Sequence, residues 1–186
     1  MVLGTGILMG GAWAYEALSF GGFWAWDPVE NASLVPWLTL VGSAHLMMIH
    51  KNKGSSLIWV FVLTMLTFIL VLYSTFLVRS GVLGDTSVHA FTDDGMTMQL
   101  VAYLLTFVFM AIWLMVKNFK KLPGEGKEDH TWSRELWMFI GSLVLFISAF
   151  QIISTTSIPV FNPIARFFLD KDLTTPTDPI AHYNRW

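Results

Sequence analysis

The chain has 186 residues and a net charge of −2; 54% of its residues are hydrophobic and only 13% are charged. Soluble domains carry about 25% charged residues, so this composition indicates a membrane protein. The sequence has no stripe of basic residues of the kind that binds nucleic acid, so nucleic acid is not expected as a partner. The sequence contains no cysteine, which excludes disulfides and thiolate metal sites within these residues.

Five apolar segments are long enough to cross a bilayer core, which requires roughly 17–25 residues. They lie at about 1–18, 34–50, 56–78, 98–116 and 136–157. None shows the alternation of barrel strands, and helices are the other structure that spans membranes. The sequence therefore predicts an all-α, polytopic helix bundle that forms a single membrane domain.

Basic residues are distributed unequally between the spans. The loops after spans two and four together contain Lys51, Lys53, Lys117, Lys120, Lys121, Lys127 and Arg134. Arg79 is the only basic residue in the loops after spans one and three. The positive-inside rule therefore predicts that 51–55 and 117–135 are cytoplasmic. It assigns the outer, periplasmic side of a bacterial inner membrane to segments 19–33, 79–97 and 158–186.

Segment 19–33 and the start of span two combine tryptophans, glycines and acids in the sequence FGGFWAWDPVENASLVPW, which begins at Phe20. Asp27 suits an N-cap, Pro28 suits the first helical position, and Glu30 can accept from the cap amide. This pattern predicts a helix start and is by itself a sufficient explanation of both acids. Pro36 predicts a kink or a break in the helix that follows.

The tryptophans of this segment allow two interpretations. Trp24 and Trp26 are typical of an interfacial aromatic belt, which occurs in many membrane proteins. Their spacing beside Gly21 and Gly22 also suits a rigid surface for a flat apolar ligand such as haem, because glycine permits tight turns and close approaches. The residues alone leave both interpretations open.

Two histidines and one arginine are candidate ligand-binding residues. His45 lies near the middle of span two on the same helical face as Trp37, and an ionisable residue at that depth is a functional hypothesis. A neutral histidine that bonds a neighbouring helix is the alternative. His89 is on the residues alone an ordinary loop histidine. Arg79 suits either snorkelling or pairing with a carboxylate.

Two stretches carry a family resemblance. Residues 21–38, GGFWAWDPVENASLVPWL, resemble the tryptophan-rich WWD loop of the CcmF branch of haem lyases in cytochrome c maturation. Residues 75–91, TFLVRSGVLGDTSVHAF, are similar to the same branch. The CcmC and CcsA proteins share the loop, but the two stretches together favour CcmF. Phe20 and the insertion Gly84-Asp85 depart from the family pattern.

The resemblance implies a set of haem-binding residues. His89 corresponds to an axial ligand of the haem that rests on the WWD loop, and His45 to an axial ligand of a haem b within the membrane. The implied platform for the outer haem comprises Gly21, Gly22, Trp24, Trp26, Asp27, Glu30, Trp37 and Arg79.

The resemblance also implies an activity and partners. The family receives haem, its substrate, from a haem-carrier protein, and two thiols of an apocytochrome c Cys-x-x-Cys-His segment add across the haem vinyl groups. The haem b is thought to keep the substrate iron reduced with electrons from quinol. Other cytochrome c maturation subunits are expected as partners.

Each family haem has two histidine ligands, and this chain matches one of each pair. The missing ligands are expected upstream of Met1 and downstream of Trp186, so we expect residues 1–186 to be part of a larger protein and inactive alone. Two other functions stay open. One is a CcmC-type haem exporter or carrier-loading protein that forms no bond. The other is a membrane structural or transport subunit.

Overall fold

The computed structural model describes most of the chain. The described residues are 1–17, 22–54, 57–84, 86, 87, 89, 91, 95–122 and 133–185. Gly21, one of the predicted platform residues, lies outside this part. The statements below refer to the described residues.

Helices account for all of the regular structure in the described ranges. They are α1 (Val2–Ala17), α2 (Pro28–Lys53), α3 (Leu57–Arg79), α4 (Thr97–Asn118), α5 (Arg134–Thr156), α6 (Ile158–Leu169) and α7 (Pro179–Tyr183), with a 3₁₀ turn at Phe119–Lys121. By length and composition, α2, α3, α4 (continued by the 3₁₀ turn) and α5 can each cross a membrane. The prediction of an all-α, multi-pass membrane bundle is confirmed.

Helix α1 differs from the other predicted spans. It has 16 residues, which corresponds to about 24 Å at 1.5 Å per residue. This length is less than the roughly 30 Å of a bilayer core. By length and composition, four helices of the described ranges can cross a membrane, and Ile158–Leu169 is a shorter apolar helix. The assignment of a fifth span to residues 1–18 stays a prediction, since residues 18–21 lie outside the described part.

Helix α2 is the central helix and packs against both α3 and α5. In lipid, helices associate through close packing and interhelical hydrogen bonds rather than through the hydrophobic effect. The α2–α3 contact has two hydroxyl pairs: Thr39–Thr67 at 2.9 Å and Ser43–Thr64 at 2.8 Å. The α2–α5 contact has a bond of 3.1 Å from Ser142 Oγ to the carbonyl of Gly42. These bonds fix the relative positions of the three helices.

Pro36 lies inside α2, and the helix continues past it without a break. Proline lacks an N–H, so the carbonyl of Ala32, four residues earlier, loses its helical donor. Ser74 Oγ of α3 donates a hydrogen bond to this carbonyl. Neighbouring serines and threonines are the groups that make proline tolerable in membrane helices. The neighbouring helix therefore compensates for the proline.

One end of the bundle gathers the segments predicted to lie outside. Helix α2 begins at this end, whereas α3 and α5 finish there, because Ser74 near the end of α3 meets Ala32 near the start of α2. Tyr73 of α3 donates a 2.8 Å hydrogen bond to Ser157, which follows α5. We call this the loop end.

The outer segment 158–186 contains a helix directly after α5: α6 begins at Ile158 and contains Pro163. Pro159 suits the first turn of a helix, where no N–H is needed. Phe167 and Phe168 are largely exposed on this helix.

We expect Ser74→Ala to destabilise the bundle, because the buried carbonyl of Ala32 would lose its replacement donor; an unsatisfied buried group costs about 1–3 kcal/mol. In a Pro36→Ala background the same change should cost less, since the substituted residue supplies the helical N–H that proline lacks. Thermal unfolding of the four proteins in detergent measures the coupling. Ser154→Ala is the matched control, because the Ser154 side chain is exposed and bonds its own helix. Equal effects of Ser74→Ala in both backgrounds would contradict the compensation.

Candidate functional site

The start of α2 is built by two carboxylates at the loop end. Asp27 is the N-cap, and its Oδ1 accepts from the N–H of Val29 at 2.9 Å. Glu30 Oε2 accepts from the N–H groups of Asp27 at 3.1 Å and of Ala25 at 2.9 Å. The predicted capping box is confirmed. The helix therefore begins at Pro28, six residues before the predicted start of span two.

The cap also holds the segment that follows α3. Ser87 Oγ donates to Asp27 Oδ1 at 2.6 Å and accepts from the backbone N–H of His89 at 3.1 Å. The Nδ1 atom of His89 lies 3.2 Å from the same carboxylate oxygen, without the geometry of a hydrogen bond, and is buried. A carboxylate beside Nδ1 favours the tautomer with the proton there, and Nε2 then keeps its lone pair for a metal.

A groove of about 480 Å³ lies between α1 and the start of α2. Trp24, Glu30 and His89 line it together with Trp13 of α1, and the remaining lining is mostly apolar. Its volume falls within the range of roughly 300–1,000 Å³ typical of sites for small molecules and cofactors. We call it the Trp24 groove. The structure thus brings three of the predicted site residues, Trp24, Glu30 and His89, to one cavity.

Helix α1 forms the other wall of the Trp24 groove through close contact with the loop. A Cβ on Gly11 would lie 2.7 Å from the Phe23 ring and 2.9 Å from the Phe23 carbonyl oxygen. A Cβ on Gly4 would lie 2.7 Å from Trp37 Nε1. Glycine at both positions lets α1 approach the loop and α2 closely.

Trp26 faces away from the Trp24 groove. Its ring stacks on Tyr183 of α7, with centroids 5.0 Å apart and planes at 22°. Its Nε1–H donates to Asn184 Oδ1 at 3.0 Å. The rings of Trp24 and Trp26 meet edge to face at 6.0 Å and 87°, so they do not form one flat platform. Trp26 instead lines a second cavity of about 340 Å³, together with Asn31 and the tail.

The other predicted platform residues lie around the Trp24 groove rather than in it. Gly22 has φ 67°, a backbone conformation that suits glycine, and is exposed. Trp37 packs against the core that α2 and α5 share. The guanidinium of Arg79 lies 4.4 Å from the centre of the Phe91 ring and lines a neighbouring groove. That neighbouring groove shares Val29 and Ser33 with the Trp24 groove.

His45 is partly buried on α2, far from the loop end. Its Nδ1 lies 2.8 Å from the carbonyl oxygen of Val41, one turn earlier on the same helix. A carbonyl only accepts, so Nδ1 carries the proton and Nε2 has the free lone pair. Eighteen residues of helix separate His45 from Asp27, a distance of about 27 Å. His45 and His89 therefore belong to two separate sites.

Sequence reasoning did not identify three residues that shape the loop end: Ser87, Tyr183 and Asn184. Ser87 was quoted only as part of a motif, and the two tail residues contact Trp26 across more than 150 positions of sequence. Burial raises the pKa of Tyr183, against hydrogen bonds to Thr156, Thr155 and Asn31 that lower it. No local pattern marks such a long-range partner.

The chain is similar in sequence to known proteins of cytochrome c biogenesis. The profile of the family described as "Cytochrome C assembly protein" matches residues 1–83. The "Cytochrome c-type biogenesis protein CcmF" of Pseudomonas fluorescens is 38% identical over 160 residues, which are 85% of this chain and 24% of that protein. The protein of the same name in Escherichia coli (strain K12) is 35% identical over 161 residues, 86% of this chain and 24% of that protein.

A "Cytochrome c-type biogenesis protein NrfE" of Haemophilus influenzae is 44% identical over 112 residues, which are 60% of this chain and 17% of that protein. No solved structure matches the chain. The chain spans about a quarter of the length of the CcmF relatives it matches. The family profile covers α1, the tryptophan-rich segment 19–33, α2 and α3. Together with the CcmF relatives, this match shows that the chain belongs to the cytochrome c assembly proteins and is a CcmF-type cytochrome c biogenesis protein.

Proposed function

We propose that this chain is a haem-binding part of a cytochrome c haem lyase, which presents haem for attachment to apocytochrome c. The observation that carries the proposal is the Trp24 groove. An aromatic ring and an imidazole, the latter with a carboxylate at its Nδ1, line one apolar cavity at the loop end. These are the groups that a flat, apolar, iron-containing ligand requires.

The residues of the Trp24 groove fit haem as a substrate. Trp24 and Trp13 provide apolar ring surface, and His89 provides an imidazole whose Nε2 is the free nitrogen. Asp27 and Ser87 restrain the position of His89 through the cap of α2. Because the cap is rigid, the imidazole loses little freedom when it binds, and a restrained ligand binds more tightly.

His45 fits a second, membrane-embedded haem b. Its Nδ1 is occupied by the Val41 carbonyl, which orients the ring and leaves Nε2 for iron. When bound, a haem b supplies one-electron chemistry, for which we propose quinol as the electron source. The role of this chain is to hold the imidazole inside the span, where water is excluded.

The reaction that we propose for the complete complex is thioether formation. Each cysteine S–H of the Cys-x-x-Cys-His segment adds across one vinyl C=C, so that two C–S bonds form and nothing is released. The chain would contribute position: Trp24 and His89 would hold the haem at the loop end while the cysteines of the incoming polypeptide reach its vinyl groups. A haem-carrier protein and further maturation subunits complete the proposed assembly.

We also propose the orientation of the protein. The excess of Lys and Arg in loops 51–55 and 117–135 supports a cytoplasmic position for the end opposite the loop end. The Trp24 groove would then face the periplasm from a bacterial inner membrane. In this orientation it meets apocytochromes after their export.

The two histidines should hold different haems. In the natural full-length gene product purified with adequate haem supply, we expect His45→Ala to lower haem b content at least about tenfold, because the span loses its iron ligand. His89→Ala should lower retention of added haem at the groove by a similar factor and leave haem b in place. Pyridine-haemochrome and visible spectra measure both, with His50→Ala as the control on α2.

The same spectra decide between the proposed functions. A folded wild-type protein without Soret absorption would sink the proposal and favour a structural or transport subunit. Bound haem without thioether product, when haem and reduced apocytochrome are given to the complete complex, would favour an exporter or carrier-loading protein. Unchanged haem in both histidine variants would refute the ligand assignment.

Arg79 is the candidate partner of a haem propionate. It is exposed at the end of α3 and lines the groove beside the Trp24 groove. We expect Arg79→Gln to weaken haem retention roughly tenfold, since a hydrogen bond to a charged group contributes about 1.5–3 kcal/mol. Haem titration measures the loss, with Arg134→Gln at the opposite end of the bundle as the control. Wild-type affinity in Arg79→Gln would contradict the propionate role.

A further inference from the structure

Two residues of the tail after α6 contact Trp26. Asn184 Oδ1 accepts from Trp26 Nε1–H at 3.0 Å, and Tyr183 stacks on the Trp26 ring with its centroid 5.0 Å away. Stacked aromatic pairs contribute about 0.5–1.5 kcal/mol beyond the area they bury. Trp26 is therefore held both by its ring face and by its polar edge.

Trp26 has an unfavourable backbone conformation that these contacts help to maintain. Its φ is 56°, in the left-handed region, which costs a residue with a Cβ roughly 1–2 kcal/mol. Asn31 Nδ2 donates to the Trp26 carbonyl at 3.1 Å. Strained conformations persist where the surrounding structure determines them from several sides. Here Asn31 holds the backbone, and the tail holds the side chain.

The turn at Trp26 separates two groups of the haem site. The residue two positions before it, Trp24, lines the Trp24 groove. The residue directly after it, Asp27, caps α2 and contacts Ser87 and His89. A change in the Trp26 backbone would therefore alter the positions of the apolar wall and of the imidazole at the same time.

The tail itself is firmly anchored. Tyr183 is 8% exposed and packs in a core cluster with Val35, Leu38, Ala149 and Ile152. Asp178 caps α7 through a 2.9 Å bond to the N–H of Ala181. Since the core cluster belongs to α2 and α5, the contact with Trp26 is tied to the membrane bundle.

We propose that Tyr183 and Asn184 are positioning residues for the haem site: they lock the left-handed turn at Trp26 and so keep Trp24 and His89 on the Trp24 groove. This inference rests on the proposed function, because the residues act on the site that would hold the substrate haem. Neither residue lines that groove, so they would act through Trp26 and not by contact with haem.

The test uses the natural full-length gene product with four tail variants. Asn184→Leu removes the acceptor for Trp26, whereas Asn184→Asp keeps an oxygen at that position. Tyr183→Phe keeps the stacked ring, and Arg185→Ala changes an exposed neighbour. Two readouts are needed: retention of haem added to the groove, and hydrogen exchange of residues 22–31 in the haem-free protein. The content of the haem b proposed at His45, a residue about 27 Å along α2 from Asp27, reports general damage.

We expect Asn184→Leu to weaken groove haem retention about tenfold, the lower range seen when a positioning partner of an iron ligand is lost. Exchange in 22–31 should become faster, with haem b content unchanged. Asn184→Asp and Arg185→Ala should stay within about twofold of wild type. Tyr183→Phe keeps the stacked ring but loses the hydroxyl beside Asn31, so its loss should lie between wild type and Asn184→Leu. Wild-type values for Asn184→Leu in both readouts would overturn the inference, as would an equal loss in Arg185→Ala.

The design separates failure of this inference from failure of the proposed function. If Trp24→Ala and His89→Ala release haem while Asn184→Leu does not, the function stands and the positioning role falls. If the wild-type protein holds no haem at the groove, the proposed function is refuted, and so is the role of the tail in haem binding. Faster exchange of 22–31 in Asn184→Leu would then show only that the tail orders the loop.

Discussion

The carboxylate of Asp27 is the group on which the loop end depends. One of its oxygens accepts from the first turn of α2 and from Ser87, and lies 3.2 Å from His89 Nδ1. The free N–H groups at a helix start favour an anion there, so the same charge stabilises α2 and the segment after α3. Because α2 is the central helix of the bundle, the position of this cap determines where the Trp24 groove lies relative to the spans.

The sequence could predict this cap because its determinants are adjacent. Asp27, Pro28 and Glu30 act within four positions, and their chemistry is local. The same pattern explains why α2 begins before its most hydrophobic stretch: the polar turn at its start is stabilised by capping rather than by lipid. Hydropathy alone placed the start of the span at residue 34, since hydropathy measures only partition into the bilayer.

The different directions of Trp24 and Trp26 could not be predicted in this way. Two tryptophans in three residues suggest one platform, but the partner of Trp26 lies 158 positions away. Its left-handed backbone is a product of tertiary contacts, because propensity alone would not place a tryptophan there. Likewise, Pro36 predicts a kink or a break, and its local sequence does not reveal that Ser74 of another helix bonds the carbonyl of Ala32.

These contacts explain how a loop can hold its side chains at a fixed place above a membrane. Loops are ordinarily the least stable parts of a protein. This one is attached to α1 through Phe23, to the segment after α3 through Asp27, and to the tail through Trp26. Each attachment leads back to a helix of the bundle, so the loop cannot move without disturbing helix packing. A site assembled from four distant segments is thereby supported by the helix bundle. The proposed function requires such support, because a substrate held in one orientation reacts faster with its partner.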